Sequence, residues 1–427
     1  MNRSRTVRVF GPAYLDRVVH VDRPLSAPGS PPLDQSKDGA WTFGPGLRIR
    51  DPGGASLTVE LSPGWAGPTG VAELSGPLGT CSGSVLGMSW HDDLGGMGAG
   101  YAAAFGGDLV CALGPEADPT SRAVVALLEE SGVRHRPIRV AEPADWTLLV
   151  TSGPFGDKLP VGFRGCHAAV DSLEGPVREA GGCDLRVVAS LPNRLAAEAL
   201  REPGADVRFF APASRNMTDR EVPVAGFVEW VDVLCCNRGE WEALEDREQV
   251  AWQVAILAVT DGPNGCLVRF TTPEGEAGRV EVPAFPRAYP PGDTNRAGEA
   301  FAAALVGALL DGGWSNGVVS QALVREAAVR ASAAAALVLD RTRFGFPSAD
   351  EIDAALRAGR VAGRTGGGGD DPRYNAGERD GDTRTTGGGV HDATEDGLDA
   401  GSHGGLAGGL GRAQPPGPGP ARAETRS

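Results

Sequence analysis

The segment DTNRAGEAF, residues 293–301, combines residue types that can hold a phosphate and accept a proton. It opens an alanine-rich run that predicts a buried helix. The first amides of a helix have no acceptor within the helix and attract anions. Here those amides belong to Ala297, Gly298 and Glu299, and the turn before them carries Arg296. The spacing therefore predicts an anion site with a carboxylate base and a positive charge beside it.

Four further segments carry polar or glycine-rich groups next to predicted strands or helices. Carboxylate and amide oxygens suit magnesium, and glycines allow a backbone to approach a ligand closely. These segments are GPAYLD (11–16), GGMGAG (95–100), NRGE (237–240) and TDGPNG (260–265).

Two familiar nucleotide motifs are excluded. A Walker A loop needs Gly-Lys-Ser/Thr, and neither of the two lysines, Lys37 and Lys158, follows a glycine. The glycines of GGMGAG do not fall at the G-x-G-x-x-G positions, and the segment is expected to follow an irregular stretch and not a strand. The sequence therefore predicts neither a P-loop nor a Rossmann NAD site.

The elements that must position these residues alternate between strand and helix. The apolar runs LRVVAS, DVRFFAP, VDVLCCN and ILAVTDG are each followed by helical sequence, and VRVFG and DLVCAL are further strand candidates. Such alternation predicts a parallel sheet between helices, with ligands at the carboxyl ends of the strands. AGEAFAAALVGALL and LVREAAVRASAAAALVL are almost uncharged, so both are predicted to be buried helices.

Taken in this order, the five segments resemble the ribokinase-like PfkB family of carbohydrate and nucleoside kinases, over about residues 7–360. The resemblance implies a three-layer α/β/α sandwich with a mostly parallel central sheet and a small β-rich lid. It also implies ATP and Mg²⁺ as cofactors and phosphorylation of a hydroxyl on a small sugar-like or nucleoside substrate. We expect the kinase domain at residues 1–362 with the lid at about 22–91. Residues 363–427 are Gly/Pro-rich and nearly devoid of apolar residues, which predicts a disordered tail.

The resemblance assigns a role to each matching residue. The catalytic group, with Glu299 as general base, consists of Glu299, Arg296, Ala297 and Gly298. The substrate group consists of Asp16, Gly95, Gly96, Gly98 and Arg164, the last because some relatives that bind acidic sugars place an arginine in this region. The nucleotide group consists of Asn237, Thr260, Gly262, Gly265 and Asp293, and Glu240 is the predicted magnesium residue. Arg215 is a second candidate for the task of Arg164.

The chain departs from the family pattern at three positions. The family base is aspartate, whereas Glu299 is longer by one C–C bond of about 1.5 Å. Arg296 replaces a glycine of the anion hole, which costs about 1 kcal/mol if that position needs a positive φ, but it supplies a charged fork for phosphate. Gly100 stands where the family often has asparagine. We expect an active kinase; the alternative is a catalytically weak or inactive protein that binds a metabolite or nucleotide and acts as a regulator.

Each assignment also has a structural alternative that the sequence leaves open. These are a turn cap for Asp16, helix–strand packing for Gly95, Gly96 and Gly98, a capping box for Asn237 and Glu240, a hairpin turn for residues 260–265, a helix-dipole contact for Glu299 and a surface ion pair for Arg164.

Composition limits the partners and the compartment. The net charge of −15 argues against nucleic-acid binding, and the absence of a long apolar run argues against a membrane span. The seven cysteines form no C-x-x-C pair, which favours a reducing cytoplasm over a disulfide or zinc framework. The expected partners are therefore a small-molecule substrate and ATP; lid strands in the resembled family can also form a homodimer.

Overall fold

A computed structural model describes residues 5–21, 40–43, 47–50, 57–61, 71–74, 87–152, 157–287, 295–341 and 343–365. These residues belong to one compact unit, residues 1–370. Asp293 lies outside the described residues, as does all of the predicted tail after residue 365. The expected domain boundary at residue 362 and the disorder of the tail stay predictions.

Seventeen strands and ten α-helices are formed by the described residues. The strands are β1 (Val7–Phe10), β2 (Tyr14–Val21), β3 (Ala40–Phe43), β4 (Leu47–Arg50), β5 (Leu57–Leu61), β6 (Val71–Leu74), β7 (Gly87–Gly95), β8 (Asp108–Leu113), β9 (Arg134–Arg139), β10 (Trp146–Ser152), β11 (Asp157–Phe163), β12 (Cys183–Ala189), β13 (Ala205–Ala211), β14 (Val233–Asn237), β15 (Ile256–Thr260), β16 (Cys266–Thr271) and β17 (Ala277–Val282). The helices are α1 (Met97–Phe105), α2 (Pro119–Glu130), α3 (Glu174–Ala180), α4 (Asn193–Arg201), α5 (Ser214–Met217), α6 (Arg238–Ala243), α7 (Arg247–Gln253), α8 (Ala297–Asp311), α9 (Gln321–Val338) and α10 (Ala349–Thr365).

The central sheet contains nine of the described strands, in the order β17-β16-β15-β14-β13-β12-β1-β8-β9. The seven strands from β15 to β9 run parallel, and β16 and β17 pair antiparallel at one edge. Consecutive residues of β8 and β12 are buried, which requires helices over both faces of the sheet. The predicted α/β sandwich with a mostly parallel sheet is confirmed.

A second sheet of eight described strands has the order β3-β4-β5-β6-β11-β10-β2-β7. All neighbouring pairs are antiparallel except β10 with β2. The β-rich character predicted for residues 22–91 is therefore present in β3 to β7. The sheet also contains β2, β10 and β11, which lie outside that range.

The two alanine-rich helices are where the sequence predicts them. Helices α8 and α9 pack against each other, and α8 also contacts α1 and β14. Small side chains such as Ala302 and Ala331 are completely buried and allow close approach of the helix axes. This packing fixes the first turn of α8 relative to the ends of the central strands.

The cysteines of the described residues behave as core side chains. Cys235 and Cys236 are buried free thiols in β14, and burial raises the pKa of both. This agrees with a packing role for the pair. None of the described helices is long and apolar enough to cross a membrane.

Candidate active site

The candidate site lies where the parallel strands end and α1 and α8 begin. Gly98 lets the start of α1 approach the end of β1, because a Cβ on Gly98 would lie 2.4 Å from the carbonyl carbon of Gly11. The Ala99 amide donates to the Pro12 carbonyl oxygen at 3.1 Å across the same junction. The helix–strand packing foreseen as an alternative for the glycines of GGMGAG is thus present at Gly98.

Asp16 lies inside β2. Its partner across the antiparallel pair is Asp93 on β7, and Tyr14 pairs with Gly95. Gly95 packs directly against Asp16, since a Cβ there would lie 2.5 Å from the Asp16 carboxylate carbon. Alternate residues of a strand share a face, so Tyr14 and Asp16 point to the same side of the sheet.

The charges of four groups influence the phenol of Tyr14. Burial raises the pKa of Tyr14, the charges of Asp16 and Glu299 raise it further, and those of Arg164 and Arg215 lower it. The predicted substrate acid, the predicted base and both candidate arginines therefore all influence the pKa of the same phenol. These charges belong to residues of β2, α8, α5 and the segment after β11.

The start of α8 has the features of an anion-binding turn. Arg296 is the N-cap residue and has φ 65°, the left-handed conformation considered for the glycine that it replaces. The Arg296 side chain does not cap the helix, and the first backbone bond of α8 is from the Ala300 amide to the Arg296 carbonyl oxygen. The amides of Ala297 and Gly298 precede that bond and stand at the positive end of the helix dipole.

The Arg296 side chain reaches the second sheet. Its Nη1 donates to Oδ2 of Asp93 at 3.2 Å, and its guanidinium carbon lies 5.6 Å from the centre of the Phe344 ring. The side chains of Arg296 and Asp93 are only 11% and 9% exposed. Arg296, which is predicted to bind phosphate, thus also forms a buried ion pair with Asp93.

Glu299 lies in the first turn of α8 against Gly100. A Cβ on Gly100 would lie 3.3 Å from Cγ of Glu299 and 3.4 Å from Cζ of Phe346. The absence of a side chain at Gly100 therefore leaves room for the extra methylene that distinguishes Glu299 from aspartate.

Asn237 and Glu240 form the reciprocal capping box foreseen as their structural alternative. The Glu240 amide donates to Oδ1 of Asn237 and the Asn237 amide donates to Oε2 of Glu240, both at 2.9 Å. Burial raises the pKa of Glu240, the bonds from Asn237 oppose this, and the charge of Glu299 adds to it. Glu240 therefore caps α6, and its pKa also responds to the charge of Glu299, so the cap does not exclude a metal-associated role.

A cavity of about 690 Å³ adjoins the start of α8 on the side of β15. Its lining includes Thr260, Gly262 and Gly265 together with Ala297 and Gly298. Gly265 has φ 93°, and a Cβ there would lie 2.1 Å from the Val282 carbonyl oxygen, so glycine is required in this hairpin turn. The predicted nucleotide turn and the predicted anion hole therefore border the same cavity.

Arg164 contacts a buried polar cluster formed by Asp145 and His167. Its Nη1 lies 3.7 Å from Oδ2 of Asp145, which is 3.3 Å from Nδ1 of His167. Burial alone would raise the pKa of Asp145, but His167, the Gly165 amide and Arg164 hold it at about 2. The ion pair foreseen as the alternative for Arg164 is therefore formed, although its partner is buried.

Several site residues were missed by sequence reasoning, chiefly Tyr14, Asp93, Phe344 and Phe346. Asp93 sits in HDDLGG, but nothing local indicates which of its two aspartates faces the site. The expectation that an irregular stretch precedes GGMGAG was wrong, since β7 ends at Gly95. That strand is antiparallel and belongs to the second sheet, so its pattern differs from the buried runs of the central strands.

Residues 84–350 match the family described as pfkB family carbohydrate kinase. The match covers the start of α1, the capping box, the hairpin turn and the start of α8. The chain belongs to the pfkB carbohydrate kinase family. No curated protein sequence matches it.

Solved structures of the same fold include other kinases of this kind. The Thermotoga maritima ribokinase is 18% identical with a TM-score of 0.54, over 83% of this chain and 99% of that chain. The Burkholderia thailandensis nucleoside kinase in complex with inosine is 15% identical with a TM-score of 0.55, over 83% and 98%. The Arabidopsis thaliana ribokinase complexed with ribose and ATP is 18% identical with a TM-score of 0.53, over 83% and 99%. These similarities confirm the ribokinase-like fold predicted for this pfkB protein.

Proposed function

We propose that this pfkB protein transfers the γ-phosphoryl group of ATP to a hydroxyl of a small sugar-like or nucleoside substrate. The observation that carries the proposal is the position of the α8 N-terminus. On one side it borders the cavity lined by the hairpin turn, and on the other Arg296 bonds to Asp93, the strand partner of Asp16. A donor phosphate held by the α8 amides would therefore lie between the nucleotide cavity and the acceptor hydroxyl.

The residues divide the reaction between them. Asp16 accepts a hydrogen bond from the substrate and orients the reacting hydroxyl, and Glu299 takes its proton. The hydroxyl oxygen then bonds to the γ-phosphorus while the bond to the bridging oxygen breaks and ADP leaves. The amides of Ala297 and Gly298 and the charge of Arg296 stabilise the negative charge on the transferred group.

The cavity fits a nucleotide in its chemistry as well as its place. Ala284, Phe285 and Leu339 provide apolar surface for a base, and the glycines of the hairpin turn keep the phosphate end free of side chains. Asp293 stays a predicted nucleotide residue outside the described part of the chain. ATP is therefore proposed as the donor.

The partly exposed carboxylate of Glu240, whose pKa is raised by burial and by the charge of Glu299, offers an oxygen ligand suited to Mg²⁺. When bound, Mg²⁺ neutralises charge on the phosphates. Glu240 and Asn237 would hold it through water, since both also form the cap of α6.

Replacing Glu240 by glutamine separates the metal role from the cap. Glutamine continues a capping box but carries no charge. We expect the Mg²⁺ concentration for half-maximal activity to rise about 10- to 100-fold with little change in thermal stability. Glu242→Gln is the matched control, because Glu242 lies on the same helix with an exposed side chain. An unchanged Mg²⁺ requirement in Glu240→Gln would show that Glu240 caps α6 but has no role in metal binding.

The arginines on the substrate side favour an acceptor that carries a carboxylate or phosphate. The charges of Arg164 and Arg215 both lower the pKa of Tyr14. Arg215 also donates a hydrogen bond to the Ser190 carbonyl oxygen. A charged hydrogen bond contributes about 1.5–3 kcal/mol. We therefore expect kcat/KM at least about tenfold higher for acidic sugars than for their neutral analogues, measured as ADP release over a panel of sugars, sugar acids and nucleosides.

The Arg164→Gln variant tests the source of that preference. We expect it to lose the advantage of acidic acceptors while keeping activity on neutral ones. Arg178→Gln is the control, since Arg178 is an exposed residue paired with Glu174 on α3. A wild-type protein that binds ATP in calorimetry but phosphorylates no acceptor in the panel would replace the kinase proposal with that of a regulator.

A further inference from the structure

Asp93 binds three separate parts of the structure through one carboxylate. Its Oδ1 accepts hydrogen bonds from the amides of Leu94 at 3.0 Å and Phe344 at 3.2 Å. Its Oδ2 accepts from Nη1 of Arg296 at 3.2 Å. One buried side chain thus joins β7, the start of α8 and the segment that follows α9.

The face on which Asp93 lies explains why a cation is needed there. Asp93 and Asp16 are directly opposite in the β2–β7 pair, so two carboxylates lie on one face of the second sheet. Like charges opposite each other in a sheet repel. Arg296 supplies the compensating charge from another element, 203 residues along the chain from Asp93.

A series of aromatic contacts leads from this ion pair towards Glu299. The Arg296 guanidinium lies over the ring of Phe344, which packs edge-on against Phe346 with ring centres 5.7 Å apart. Phe346 in turn lies near Gly100, against which Glu299 packs. Packed side chains therefore connect the Asp93–Arg296 pair, through Phe344 and Phe346, to the proposed base Glu299.

We propose that Asp93 is a positioning residue for phosphoryl transfer, which holds the turn at Arg296 and so sets the α8 amides and Glu299 against the substrate-side strand β7. The inference rests on the proposed kinase function. It also gives Arg296 a second role, because its left-handed N-cap conformation is maintained by a buried ion pair.

The Asp93→Asn variant removes the charge and keeps the shape. Asparagine still offers an acceptor oxygen to the Leu94 and Phe344 amides, so the main loss is the ion pair with Arg296. We expect kcat to fall about 10- to 100-fold, since misplacement of reacting groups by about 1 Å has effects of this size. The KM of the acceptor should change less than about threefold.

Asp92→Asn is the matched control. Asp92 is the neighbouring residue on β7 and forms an ion pair with Arg17 at 2.8 Å, on the opposite face of the strand pair. This variant should keep wild-type kcat. Equal losses in the two variants would indicate general damage to β7 and overturn the proposal.

The Arg296→Gly background provides the decisive comparison, because glycine adopts a positive φ without help. If Asp93 acts through Arg296, Asp93→Asn should change kcat less than about twofold in that background. The same fold-loss in both backgrounds would overturn the proposal.

Affinity for a non-hydrolysable ATP analogue separates this inference from the proposed function. If wild-type protein phosphorylates no acceptor, the kinase proposal fails by itself. The positioning role then still predicts weaker analogue binding in Asp93→Asn than in Asp92→Asn, measured by calorimetry. Equal affinities in the two variants would overturn it.

Discussion

Replacing Glu299 by glutamine should lower kcat about 100- to 10,000-fold, the contribution typical of a general base. Glutamine has nearly the same shape and keeps the packing against Gly100, but it cannot accept the proton of the acceptor hydroxyl. The measurement is ADP release at saturating ATP and acceptor. Asp311→Asn is the control, since Asp311 ends the same helix at the surface, in an ion pair with Arg5.

The Glu299→Asp variant tests whether the site is built for the longer side chain. Aspartate keeps the charge but withdraws the carboxylate by about 1.5 Å and leaves a gap beside Gly100. We expect an intermediate activity, about 10- to 100-fold below wild type. Turnover in Glu299→Gln within about threefold of wild type would remove Glu299 from the proposed mechanism.

Replacing Asp16 by asparagine should lower kcat/KM for the acceptor about 100-fold or more. A carboxylate that accepts two hydrogen bonds from substrate hydroxyls contributes about 1.5–3 kcal/mol through each. The amide keeps the shape next to Gly95 but loses the charge and half of the acceptor capacity. We expect the KM of ATP to stay unchanged, because the nucleotide cavity adjoins β15 and not β2.

Steady-state kinetics with each substrate varied in turn will measure this effect. Asp92→Asn again serves as the control, since Asp92 lies one residue from the partner of Asp16 but on the other face. A proportional rise in the KM of both ATP and acceptor would contradict a role for Asp16 confined to the acceptor.

The structure offers a way to accommodate the two departures from the family pattern in the anion-hole turn, Arg296 and Glu299. A left-handed arginine costs about 1 kcal/mol relative to glycine. In the proposed arrangement, the buried ion pair with Asp93 offsets that cost and holds the turn. The longer base is likewise accommodated by the missing side chain at Gly100. Both substitutions therefore have a structural counterpart elsewhere in the site, which supports an active enzyme over a degenerate one.

Local features of the site could be predicted because they depend on neighbours in the chain. The Asn237–Glu240 capping box follows from a spacing of three residues at a strand–helix junction. The anion-binding turn follows from a short loop before an apolar helix, and the hairpin turn follows from two glycines between strands. The strand preceding GGMGAG was missed because its residues, GMSWHDDLG, lack the continuous apolar pattern of the central strands.

The sequence by itself determined the alternation of strands and helices, the buried helices α8 and α9 and the groups suited to phosphate. Only the tertiary structure decided which of these groups meet. Asp93 faces Arg296, and Gly100 makes room for Glu299, across separations of about 200 residues. Such contacts depend on strand register and on the packing of helices against the sheet. A shift of one residue in β7 would turn Asp92 towards the site in place of Asp93, and no local pattern fixes that register.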